Sequence, residues 1–210
     1  MKTTLNAIRA TKPYGDIWAT LLKYLGKTKA DDEPLSILTI LNVLTINDAL
    51  WCLRGVKGHD REIRLYAIWC MRRVQHMMRD PRSIAALDVA ERHANGQATD
   101  AELEATLGPA RNATYVAWAV ARAAGNDEYS VERHVAHAVG ELAWVIAGPA
   151  RERALDAART AANITWAVAC ADAKTRWPDP VVVADYARAA ADAEMAAQSA
   201  ELRRICEVAA

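Results

Sequence analysis

REIRLYAIWCMRRVQHMM, residues 61–78, is the stretch whose reading decides the fold. Apolar side chains return at Ile63, Tyr66, Ala67, Cys70, Val74, Met77 and Met78, the three-and-four spacing that marks one face of an α-helix. Leu65, Ile68 and Trp69 lie on the opposite side, so the middle of the segment is apolar all round. Such a helix is stable only when it is covered on two faces. The pattern therefore predicts an inner helix over 60–79, with Arg61, Arg64, Arg72, Arg73 and Arg79 toward its rims.

Working outward, the central phrase recurs. ALWCLRG at 49–55 and AIWCMRR at 67–73 are followed by the looser AWAVARA at 117–123, AWVIAG at 143–148 and TWAVAC at 165–170. Tryptophan among alanine and small aliphatic residues is a means of packing helices closely, the ring filling space that small neighbours leave. Trp51, Trp69, Cys70, Trp118, Trp144 and Trp166 are accordingly expected in the structural core. A reactive thiolate at Cys70, favoured by the adjacent arginines, is the competing reading.

Helix signals dominate the rest of the chain, whereas strand alternation and hairpin turns are missing. Asp80-Pro81 and Asp179-Pro180 each place a capping carboxylate before a proline at the first helical position. Thr99 with Glu102 reads as a capping box, after a turn at Asn95-Gly96. Helices are expected over 16–26, 35–42, 46–54, 60–79, 81–95, 100–124, 129–147, 149–174 and 180–208. A break at 108 is left open, because Gly108-Pro109-Ala110-Arg111 returns as Gly148-Pro149-Ala150-Arg151, and in each copy glycine can close one helix and proline open the next. The fold class is all-α: a multi-helix bundle or a short helical-repeat stack of about eight to nine helices.

The 210 residues suit one large domain or two small ones. The net charge of zero conceals an asymmetry: residues 1–80 hold 13 Lys and Arg against 8 Asp and Glu, and 81–210 hold 13 against 18. Alanine changes at the same place, with 6 in the first part and 39 in the second. We read a basic helical part over 1–80 and an alanine-rich acidic part over 81–210, within one continuous helical domain whose two parts attract. Cys52, Cys70, Cys170 and Cys206 form no CxxC pair and read as reduced, buried thiols. With no apolar run near the roughly 18 residues of a membrane span and no secretory core in MKTTLNAIRATKP, a cytoplasmic location without membrane contact is expected.

DALWCLR at 48–54, REIRLYAIWCMRRVQHMM at 61–78 and DPRSIAALDVAERHANGQATDAEL at 80–103 together resemble the Imm-5-like family of helical immunity proteins, found in bacteria and phages. ADDEPLSILTIL at 30–41 is similar to the leading segment of phage-borne members, and the likeness covers roughly 14–103, with composition alone beyond it. The resemblance implies an interaction role and brings no catalytic residues. The chain departs from the family's monotonous Ala, Arg and Trp tail at Gly108-Pro109, Gly148-Pro149 and Trp177-Pro178-Asp179-Pro180.

His134, His137 and Glu141 bring two imidazoles and a carboxylate to one helical face, residue types that a borderline metal accepts, yet they leave a closed zinc site one ligand short. Phosphate-loop, dinucleotide, nucleophile-elbow and kinase motifs are missing from the sequence. The expectation is a non-enzymatic protein-binding module without cofactor, an immunity or anti-defence factor that blocks another protein through Arg61, Arg64, Arg72, Arg73 and Arg79. It is expected to form a homodimer through apolar surface. Two alternatives stand beside it: a small-ligand-binding protein or enzyme with an inter-helix pocket, and a nucleic-acid binder using the Arg-rich segment 54–79.

Overall fold

The computed structural model describes residues 1–13, 15–125, 130–148 and 150–209, the side chains of 142–147 and 150–152 excepted. Its described residues form ten α-helices and one two-residue strand pair, so the chain is all-α. In order these are β1 (Lys2–Thr3), α1 (Leu5–Ala10), α2 (Gly15–Leu25), β2 (Leu35–Ser36), α3 (Ile37–Leu41), α4 (Ile46–Cys52), α5 (Asp60–Val74), α6 (Pro81–Ala94), α7 (Asp100–Ala123), α8 (Val131–Ala147), α9 (Ala150–Arg176) and α10 (Pro180–Val208). Single 3₁₀ turns follow α4 at Leu53–Gly55 and α5 at Gln75–Met77.

The local chemistry explains the boundaries. Asp80 and Asp179 accept hydrogen bonds from the Arg82 and Val181 amides and hold Pro81 and Pro180 at the first turns of α6 and α10. Thr99 and Glu102 complete the reciprocal capping box of α7. Helix α7 runs through Pro109 without interruption. The proline ring is exposed and removes one ladder bond, but Leu107 and Ala110 on either side pack into the core. That continuous packing against α6 and α8 outweighs the local penalty. Helix α1 and the β1–β2 pair had no sequence signal long enough to read: six residues hold less than two turns, and each strand has two.

Helix α5 is an inner helix. Ile63, Tyr66, Ala67, Ile68, Cys70, Met71 and Val74 are buried, and α5 packs against α6, α8, α9 and α10. Helix α9 is its main neighbour and also touches α4, α8 and α10. Close approach there depends on alanine, with Ala136, Ala138, Ala154, Ala157, Ala158 and Ala161 wholly inaccessible. The main hydrophobic cluster runs from Leu5 and Ile8 through Met71 and Leu87 to Leu155, Leu202 and Cys206, so one core spans residue 80. A smaller cluster gathers Cys170, Ala173, Val183 and Ala187 between α9 and α10. Gly55 marks the tightest backbone contact: a Cβ there would meet the Thr3 Oγ1 at 2.8 Å and the backbone of Ala7 and Ile8 at 3.1 and 3.2 Å.

The tryptophans lie at the margin of this core and not in its centre. Trp51, Trp69, Trp118 and Trp166 are each half-buried. Trp51 and Trp69 pack against the main cluster, and Trp166 packs against the smaller one. The Trp144 side chain lies outside the described residues. An indole is too broad for a helix contact set by alanine methyls, so the rings occupy the rims, where cations cover them. Arg54 stands 3.9 Å from the Trp51 ring centre, Arg73 5.0 Å from Trp69 and Arg133 5.8 Å from Trp118. In the two closest copies of the phrase the tryptophan is followed three or four residues later by the arginine that lies over it, whereas the cation over Trp118 comes from α8. Cys70, by contrast, is inaccessible as read.

Candidate functional site

The arginines of α5 meet the acidic second part of the same chain. Arg72 pairs with Asp88 at 2.7 Å and Glu91 at 2.6 Å and also donates to Gln75. Arg73 grips Glu194 of α10 through Nε and Nη2 at 2.8 and 2.7 Å. Arg61 donates to Asn95, and Arg64 is drawn inward within 3.5 Å of the Gly148 carbonyl, where burial disfavours its charge. A cleft between α5, α6 and α10 brings Arg61, Arg72 and Arg204 together with Glu62, Glu91 and Glu201. Opposite charges face each other across it and leave little field for an external polyanion. The attraction between the basic and acidic parts is therefore realised within one molecule.

Behind this cleft lies a buried polar ladder. Tyr66, Cys70 and Arg73 on α5 approach Glu194 and Glu201 on α10. The Glu194 side chain is only 4% exposed and also accepts from Gln198 Nε2, which donates in addition to the Ala158 carbonyl. Burial pushes the Cys70 and Tyr66 pKa values upward, and the Cys52 thiol is pushed up to about 12 by burial and by Asp48. Thiols held protonated in this way are poor nucleophiles. The geometry at Cys70 is that of packing.

Arg79 stands apart from its four companions, at the mouth of an apolar groove between α7 and α8. Met77 and Pro81 close one end, and Val116, Ala117, Val120, Val131, Val135 and Val139 form the walls around about 320 Å³. Outside it, Tyr115, Val116 and Val120 are 73%, 50% and 52% exposed. Three large apolar side chains within six residues of one helix, continuous with a groove, form an unpartnered face. The sequence carried a trace of it in TYVAWAV, 114–120, where apolar residues do not alternate with charge as on the other outer helices.

His134 and His137 do share one cavity, with Trp118, Arg133, Thr160, Asn163 and Trp166. Glu141 is not in its lining. That carboxyl is half-buried near Asp156, and burial followed by the Asp156 charge raises its pKa. Among the described residues no three His, Cys, Asp or Glu side chains gather as a metal site. Among the described residues no helix is long and apolar enough to cross a membrane.

No protein-family model matches the chain, and neither a curated protein nor a solved structure similar to it was found.

Proposed function

We propose that this chain is a non-enzymatic protein-binding module, an immunity or anti-defence factor that blocks a partner by holding an apolar, helix-forming segment of it in the α7–α8 groove. The observation that carries the reading is the exposed Tyr115, Val116 and Val120 face running into that groove. An amphipathic helix presents apolar anchors at three- and four-residue spacing, which matches a furrow between two helices. Burying the exposed halves of these three side chains contributes roughly 1 kcal/mol each, and the groove walls add the rest. The resemblance of residues 14–103 to immunity proteins supports the same role. Arg79 and Glu132 at the rim would set orientation and encounter rate more than affinity.

The test compares capture by the wild type with capture by Val116→Lys/Val120→Lys and by Arg61→Ala/Arg64→Ala. Lysine is a good helix former, and the cation near the C-terminal end of α7 suits the helix dipole, so the groove variant keeps its fold. A species retained by the wild type and the arginine variant, and lost from the groove variant, supports the reading. Retention by the groove variant overturns it. A second copy of the chain is the competing occupant, and light scattering across about 0.05–0.5 M salt separates the two: a salt-insensitive dimer abolished by the same lysines assigns the face to self-association.

A further inference from the structure

Helix α10 is covered on one side only along its first half. Its main neighbour is α9, and farther along it meets α3, α4 and α5, as where Arg73 grips Glu194 and Arg203 donates to Asn42. Before Glu194 its buried side chains are Val183 and Ala187. With Ala169, Cys170 and Ala173 of α9 these form a hydrophobic cluster apart from the main core. The end of the α9–α10 hairpin is thus a two-helix arm with a small core of its own. Its outer surface is not polar. Trp177, Val181, Val182 and Tyr186 are 36%, 67%, 41% and 40% exposed, and the Trp177 and Tyr186 rings lie 5.4 Å apart.

The exposed apolar surface continues down the helix in one line. Val182, Tyr186, Ala189, Ala193, Ala196 and Ala200 alternate at intervals of four and three residues, and all six are exposed. That alternation is the seam along which one helix packs on another, and it faces away from Val183, Ala187 and Gln198. The large residues stand at its N-terminal end and the alanines toward its C-terminal end. A parallel copy would set Tyr186 against Tyr186. An antiparallel copy, related by a two-fold axis between Ala189 and Ala193, sets Tyr186 against Ala196 and Val182 against Ala200, so each large side chain meets a small one. The flanking charges agree. Arg188 of one copy comes beside Asp192 of the other, and among the described residues neither is in an ion pair, whereas Asp172 pairs with Arg176 and Glu201 with Arg204.

We propose that the outward face of α10 is a docking surface for a second copy of this chain, the two helices lying antiparallel along the seam from Val182 to Ala200. Alanines at its centre let the backbones approach to the close end of the roughly 8–10 Å range of helix spacings. At about 1.5 Å per residue the seam is about 27 Å long, and a strip about 10 Å wide along it falls at the low end of specific interfaces. Such an area suits a reversible dimer and not an obligate one. The seam shares no residue with the α7–α8 groove, so its failure leaves the protein-binding reading untouched.

Sedimentation of the full chain between about 1 and 200 μM reads the pairing: dimer predominates at the upper concentration and monomer at the lower. Ala193→Glu puts a carboxylate beside the axis in both copies and weakens association about tenfold or more. Because that position is exposed and glutamate is a good helix former, helix content and the thermal midpoint at the lower concentration stay at the wild-type values. Val116→Lys/Val120→Lys associates like the wild type. Oxidation reads the register: a mixture of Ala189→Cys and Ala193→Cys chains cross-links faster than either variant alone, the native cysteines being buried. A chain still monomeric at about 200 μM overturns the proposal, as does a dimer that Ala193→Glu leaves intact or that the groove lysines abolish. Faster cross-linking of Ala189→Cys with itself than in the mixture would overturn it too, by making the helices parallel.

Discussion

Replacing Arg73 by methionine tests the buried ladder between α5 and α10. The pair is lopsided: the Arg73 side chain is 38% exposed and the Glu194 side chain 4%. Removing one partner of a fully buried pair costs about 3–5 kcal/mol, because the remaining charge is stranded. Here the guanidinium's opening to solvent admits water, and Gln198 Nε2 still donates to the carboxylate at 3.1 Å, so about 2–3 kcal/mol is expected for Arg73→Met. Glu194→Met strands nothing of that kind. The guanidinium can turn to water while staying over the Trp69 ring, and Gln198 keeps the Ala158 carbonyl, so the cost is under about 1 kcal/mol. The double variant should resemble Glu194→Met, because the stranded carboxylate is gone. Urea unfolding at unchanged m-value reads these differences directly, and for a chain of this size each kcal/mol is roughly 2–4 °C in Tm. Equal losses for the two single variants, or a neutral Arg73→Met, would refute the claim that Glu194 is the buried end.

Three further outcomes follow from the packing. Trp69→Ala should cost about 2–3 kcal/mol, less than for an enclosed indole, because the ring is only partly buried and lies beside Arg73; thermal melting checks it, and a loss above about 5 would return the ring to the core centre. Cys52 and Cys70, protonated well above neutral pH, should resist iodoacetamide in the folded chain at pH 8 and react only in denaturant, with mass spectrometry counting the adducts. Gly55→Ala should cost about 1–3 kcal/mol by pushing α1 away from the 3₁₀ turn, seen as faster amide exchange over residues 3–8; wild-type stability would deny the close approach.

Much of this fold was legible because helices announce themselves locally. Asp80, Thr99 and Asp179 cap where their chemistry requires, and the stripe from Ile63 to Val74 is the buried face of α5. The tryptophan reading went astray for a non-local reason. Spacing shows that a residue lies on an inward face, but the depth it reaches depends on the partner helix, and the alanines of α9 bring that helix too close to admit an indole. The arginines' intramolecular partners were hidden in the same way: nothing near Arg73 in sequence foretells Glu194, 121 positions away. Of the candidate site, the pairing of His134 with His137 was visible at one-turn spacing. Trp118, Thr160 and Trp166 join them only because α7 and α9 flank α8. The groove left the faintest trace, since exposure of Val116 and Val120 is decided by what α6 and α8 leave uncovered.

Hydrogen–deuterium exchange of the chain, alone and with the partner captured by the wild type, tests the central claim most directly. Binding in the groove predicts protection confined to residues 112–123 and 131–139, undiminished between about 0.05 and 0.5 M salt, because apolar contact is not screened. Protection centred on residues 61–79 and lost at the higher salt would contradict it and move the interface to the arginines of α5.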